Sequence, residues 1–125
     1  WAYVHEEACR WEHVMSERVE RRLVELLDHP RHSPYGNPIP GLDELGDAGV
    51  AEGFLDGVVS LVAHTRAVPG SSEVVVGRLG EPLQTDPALL QRLVGAGVLP
   101  GAHVRVEVVD GMVAVGAPGA ELVLD

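Results

Sequence analysis

The sequence predicts an α+β fold, with helices first and a small β-rich domain after them. Three observations carry that prediction. Trp1 to Met15 holds neither Gly nor Pro and is rich in good helix formers. Residues 30–42 (PRHSPYGNPIPGL) crowd four prolines and two glycines into a stretch that neither a helix nor a central strand tolerates. Beyond residue 58 the apolar pattern changes to period two, with β-branched residues enriched.

The first helix is expected over Trp1–Met15. Ser16 is a plausible N-cap for a second, with Glu17 in its first turn. Val19, Leu23, Leu26 and Leu27 give that helix an apolar face, and it runs to about Asp28 before Pro30 ends it. After the Pro-rich segment, Asp47 to Gly57 continues as a polar, Gly-rich connection. The expected division is therefore a helical domain over 1–46, a linker over 47–57 and a β-rich domain over 58–125. Strands are predicted at Val58–His64, Glu73–Leu79, His103–Val109, Met112–Gly116 and Glu121–Leu124. Between them Asp86 reads as an N-cap with Pro87 at the first helical position, and Gly95 and Gly97 stop that helix. Asp110-Gly111 between two strands marks a tight hairpin. Short strands with one helix suggest a small SH3-like barrel.

Composition narrows the function classes. Nine Lys and Arg against nineteen Asp and Glu give a net charge of −10, which argues against this segment gripping nucleic acid by itself. No apolar stretch reaches membrane-spanning length, and Trp1–Arg10 has no signal-like apolar core. Trp1 is not an initiator Met, and the chain stops inside a predicted strand, so a piece of a longer protein is expected. The single cysteine, Cys9, rules out an internal disulfide and suits a reducing cytosol. Its plainer reading is a small buried hydrophobe.

The chemistry concentrates in His5-Glu6-Glu7-Ala8-Cys9-Arg10-Trp11-Glu12-His13. At roughly 100° per residue, Cys9 lies about 40° from His5, Glu12 about −20° and His13 about 80°. One helix face then presents two imidazoles, a thiol and a carboxylate, the donors that hold a divalent transition metal. The plain alternative makes Cys9 and His13 core residues and Glu12 a solvated one. Paired cysteines are absent, so this is not a zinc ribbon. Trp11 lies off that face, either as core or as an anchor for a partner helix. Glu81 and Gln84 stand in a polar turn, GEPLQTD, which taken alone reads as surface loop.

The runs EACRWEHVMS (Glu7–Ser16), VERRLV (Val19–Val24) and SPYGNPIPGLDELG (Ser33–Gly46) closely resemble the diphtheria-toxin-repressor and iron-dependent-regulator family of metal-dependent transcriptional repressors. RLGEPLQTD and GAGVLPGAHVRVEV are similar, at the level of pattern, to the family's SH3-like domain. The resemblance implies a metal-sensing and dimerisation domain followed by that SH3-like domain, without the N-terminal winged helix-turn-helix. It implies a primary metal site with Cys9, Glu12 and His13 as ligands, completed in the family by an upstream Met. It implies an ancillary site with His5, Glu81 and Gln84, completed by an upstream His and Glu. Ser33 and Asn37 match residues that help hold an anion, and the Pro-rich segment matches a tether that can dock on the SH3-like domain. Trp11 is assigned to the dimer interface.

The expected function is that of a Fe²⁺- or Mn²⁺-dependent repressor of metal homeostasis. It would be a cytoplasmic homodimer that reaches operator DNA through the absent domain and binds other divalent transition metals in vitro. No catalytic residue, membrane contact or small-molecule substrate is expected. Three rivals are weaker. A single-metal hydrolase lacks a nucleophile motif or pocket-forming loop. A Pro-peptide-binding module would need groove aromatics, and residues 58–125 contain no Phe, Tyr or Trp. A thiol redox sensor would need positive surroundings, whereas Glu7 and Glu12 oppose Arg10 around Cys9.

Overall fold

A computed structural model describes residues 1–47, 49 and 52–124. The helices are α1 (Val4–Glu12), α2 (Glu17–Leu26), α3 (Leu61–Ala67), α4 (Glu81–Gln84) and α5 (Pro87–Gly95). The strands are β1 (Ser71–Val75), β2 (His103–Val109), β3 (Met112–Gly116) and β4 (Leu122–Leu124). They form one antiparallel sheet in the order β1-β2-β3-β4. The expected α+β architecture is what the chain adopts, a helical part followed by the small β domain. Ala48, Val50 and Ala51, which fall in the predicted 47–57 linker, and Asp125 lie outside the described residues.

Locally encoded elements match the sequence. Asp86 caps α5 by accepting from the Leu89 N–H at 2.9 Å. Asp110 and Gly111 both have positive φ, 51° and 83°, as a type I′ hairpin turn demands. That turn fixes the β2–β3 register, Val109 opposite Met112 through Arg105 opposite Gly116. One strand was misread. Val58–His64 does not pair, because Ser60 caps α3 by accepting from the Ala63 N–H at 3.1 Å. Leu61, His64 and Thr65, at helical spacing, then turn inward while Val59 and Val62 stay exposed. Packing overrides β-branched propensity there.

The ends of other elements shift for visible reasons. The first helix starts at Val4 rather than Trp1, after a turn in which Val4 N–H donates to the Trp1 carbonyl. The second helix stops at Leu26, before Pro30. Asp28 and His29 take left-handed φ values of 58° and 55°, and the His29 N–H closes the end on the Val24 carbonyl at 2.8 Å. The strand predicted at Glu73–Leu79 is instead Ser71–Val75. Past Val76 the backbone leaves β2 and turns to the Pro-rich tether, with Leu79 N–H donating to the Tyr35 carbonyl at 2.9 Å.

The core lies between the sheet and α5. Leu90, Leu93, Val98, Val104, Val106 and Val115 are buried there with Leu79. Ala2 and Tyr35, from the predicted helical region, join the same cluster. Neither α1 nor α2 buries a residue of its own. Residues 32–38 fold into a compact turn on the β domain, closed by a His32–Pro38 bridge and a Ser33 N–H to Asn37 carbonyl bond of 2.7 Å. Gly36 is required in it. Its φ is +81°, and a Cβ there would stand 2.2 Å from the Gly77 carbonyl oxygen.

Candidate metal centre

The donor-bearing helix α1 presents its chemistry to solvent. Cys9 is exposed, which removes the reading of it as a small core residue. Its Sγ lies 3.6 Å from His5 Nε2, one turn earlier. Glu12, the last residue of α1, lies beside His13, which caps the helix in αR conformation, with Oε1 and Nε2 3.3 Å apart. Two separate donor pairs therefore stand along this segment, His5 with Cys9 and Glu12 with His13. Among the described residues no three His, Cys, Asp or Glu side chains stand close enough to hold one ion. Cys9, Glu12 and His13 are all exposed, and thiol, carboxylate and imidazole are donor types that suit a divalent transition metal.

The second group crosses the molecule. Gln84 is not in a surface loop. It ends the short helix α4 and is buried, at 7% exposure. Its Nε2 donates to the Leu79 carbonyl at 2.7 Å, and its Oε1 lies 3.2 Å from His5 Nδ1. The Leu79 carbonyl can only accept, so the amide must turn its NH₂ there and its oxygen to His5. His5 Nδ1 then faces the amide oxygen, and Nε2 faces Cys9. Glu81 opens α4 and is exposed, three residues before Gln84 and so on the same side of that turn.

The tether holds this arrangement from the other side. Ser33 Oγ accepts from the Tyr35 and Asn37 backbone N–H groups at 3.2 and 3.3 Å. Asn37 Nδ2 donates to the Leu79 carbonyl at 3.1 Å, while its Oδ1 is buried with no hydrogen-bond partner among the described residues. Ser33 and Asn37 thus shape the tether turn in this structure. Trp11 is 60% exposed, so it is not core. With Val4 and Ala8 it forms an exposed apolar stripe on α1, continued past the helix end by half-buried Met15.

Two features escaped sequence reasoning. Tyr35 is 3% exposed, and its hydroxyl bridges the Trp1 carbonyl and the His5 N–H. Nothing in the residue type announced that. Arg78 gathers the 52–56 segment by donating to the Gly53 and Asp56 carbonyls at 2.8 and 3.1 Å, to the Phe54 carbonyl and to the Glu52 carboxylate. Glu52 in turn meets His32 of the tether at 2.9 Å.

Residues 1–41 match the family described as iron dependent repressor, metal binding and dimerisation domain. The iron-dependent repressor IdeR of Mycobacterium tuberculosis is 54% identical over 112 residues, 89% of this chain and 47% of the relative. The diphtheria toxin repressor of Corynebacterium diphtheriae is 40% identical over 121 residues, 97% of this chain and 52% of the relative. Among solved structures, a manganese-dependent transcriptional repressor in complex with manganese superimposes with a TM-score of 0.68 at 28% identity, covering 99% of this chain and 54% of that one. ScaR with bound Zn²⁺ gives 0.63 at 25% identity, covering 97% and 52%. The chain spans about half the length of the relatives it matches.

Proposed function

This chain belongs to the iron-dependent repressor family, and on that premise we propose that it is the metal-sensing and dimerisation portion, with the SH3-like domain, of a Fe²⁺- or Mn²⁺-responsive transcriptional repressor. The observation that carries the reading is the succession of two donor pairs along α1 and its C-cap, His5 with Cys9 and Glu12 with His13. We assign Cys9, Glu12 and His13 to a primary site and His5, Glu81 and Gln84 to an ancillary one. We keep the organisation as a helical domain over 1–46, a linker over 47–57 and the SH3-like domain over 58–125. Ser33 and Asn37 are assigned to an anion site on the tether.

A bound ion supplies a bridge between parts of the protein and favours the state that brings their ligands together, by its differential affinity. The chain's own residues do the rest. Cys9, Glu12 and His13 offer the fixed half of the primary site. His5 and Gln84 join α1 to the β domain at the ancillary one. The apolar stripe around Trp11 is the surface for a second copy, since aromatic anchors are enriched at interfaces. In the whole repressor, loading would set two DNA-reading helices at the spacing of successive major grooves. The acidic charge of −10 leaves phosphate contacts to that other domain. Other divalent transition metals would also bind in vitro, and cellular availability selects among them.

The reading makes the chain a regulator and not an enzyme, and a cytoplasmic one, since a repressor acts on DNA. No described helix is long and apolar enough to cross a membrane. The test is a Co²⁺ titration followed by absorption, on the parent chain beside Cys9→Ala and His13→Ala. A saturable thiolate-to-metal band that both substitutions abolish is expected. A band that survives His13→Ala would remove His13 from the site.

A further inference from the structure

We propose that the Tyr35 hydroxyl is a positioning group that couples docking of the Pro-rich tether to metal affinity at His5. The inference rests on the reading of His5 and Gln84 as metal donors and adds a residue outside that donor set.

A closed circuit of hydrogen bonds supports it. The N-terminal N–H groups of a helix have no partner within the helix. At α1 the N-cap residue Tyr3 supplies no side-chain bond. Tyr35 does so from the tether: its hydroxyl accepts from the His5 N–H at 3.2 Å and donates to the Trp1 carbonyl at 3.0 Å. Its ring is set edge-on to Trp1, with centroids 4.9 Å apart, and is buried in the β-domain core. Its carbonyl accepts from the Leu79 N–H at 2.9 Å. The Leu79 carbonyl accepts from Gln84 Nε2 at 2.7 Å, and Gln84 Oε1 meets His5 Nδ1 at 3.2 Å. The path thus returns to the residue where it began.

Four separate segments meet in that circuit: the start of α1, the tether, the loop after β1 and α4. Each bond fixes the geometry of the next. The hydroxyl sets the height and rotation of the first turn of α1. That placement decides whether the imidazole faces Gln84. If the tether lifts, the His5 N–H and the Trp1 carbonyl lose their partner, and the His5 ring loses its registry with α4. Tether docking and ion binding at His5 then favour each other reciprocally.

The test is Tyr35→Phe in this chain, which keeps the buried ring and removes only the hydroxyl. Amide hydrogen exchange without metal reads the cap directly. Mn²⁺ titration, read by broadening of the His5 ring resonances, reads the site. The Co²⁺–thiolate band reads Cys9 independently. We expect His5 amide exchange to rise about tenfold and Mn²⁺ affinity at His5 to fall about fivefold, as loss of one partly buried hydrogen bond implies. Exchange at core amides such as Val106 and Co²⁺ affinity at Cys9 should stay unchanged. Unchanged exchange at His5 overturns the capping role. Faster exchange with unaltered Mn²⁺ affinity overturns the coupling. If Mn²⁺ leaves His5 unaffected in the parent chain, the donor reading fails and the coupling with it, and the metal-free exchange then reports the cap separately.

Discussion

The two halves of the molecule are built on opposite terms. The sheet and α5 enclose their own core, with Leu90 fully buried. The helices α1 and α2 bury nothing of their own and leave Trp11, Leu26 and Leu27 uncovered. Yet α1 and its C-cap carry the exposed side chains of Cys9, Glu12 and His13. The difference teaches that the β domain closes on its own core, whereas α1 and α2 leave their polar and apolar side chains to solvent. What joins them is Ala2 and Tyr35 packed into the core, with a small set of polar bonds around Tyr35, Leu79 and Gln84. An apolar helix face without a core is a surface waiting for another part of an assembly.

The sharpest way to break the comparison is to treat the two halves alike. Leu90→Ala should cost about 2–5 kcal/mol, as lost transfer energy and a residual cavity add together. Leu26→Ala, at a site 64% exposed, should stay within about 0.5 kcal/mol. Urea denaturation of both variants measures the contrast, and equal losses would mean that α2 has a core after all.

A smaller effect is expected at the junction. Gly36→Ala forces a side chain into positive φ and against the Gly77 carbonyl. About 1–3 kcal/mol of strain is expected there, relieved by lifting the tether. Amide exchange at Leu79, whose N–H bonds Tyr35, should quicken selectively. Retained protection at Leu79 would show that the tether stays docked despite the clash.

The smallest effect concerns a single exposed carboxylate. Glu121 is held below the usual carboxylate range, first by its own backbone N–H, then by that of Gly119, with Arg105 adding a weaker pull against a slight opposing desolvation. A depressed folded-state value means that its contribution is present above the unfolded value and fades as pH falls through the folded one. Side-chain NMR titration should find Glu121 protonating at lower pH than an unperturbed glutamate. Glu121→Gln should flatten the acid limb of the stability curve only slightly. An ordinary titration would remove the turn's hold on that carboxylate.

Much of this was legible, and the exceptions share a cause. The β2–β3 hairpin and α5 were written in short-range chemistry: Asp110-Gly111 for the turn, Asp86-Pro87 for the cap. The helix that carries His5, Cys9 and Glu12 was legible from its run of good helix formers. Val58–His64 failed because β-branched residues outweighed Ser60, whose capping bond acts over only three residues. Gln84 failed because a polar residue in a polar turn gives no sign of burial. Its place depends on His5, 79 residues away.

The sequence by itself determined the cap of α5, the turn between β2 and β3 and which family the chain resembles. Local backbone sterics and side-chain caps set those features, and they act over a few residues. Only the tertiary structure decided that Tyr35 would enter the β-domain core, that its hydroxyl would cap α1, and that Gln84 would face His5. Those bonds join segments 30 to 79 residues apart. Such pairings exist only once the apolar core has closed and brought the partners out of water, where each buried polar group must find one.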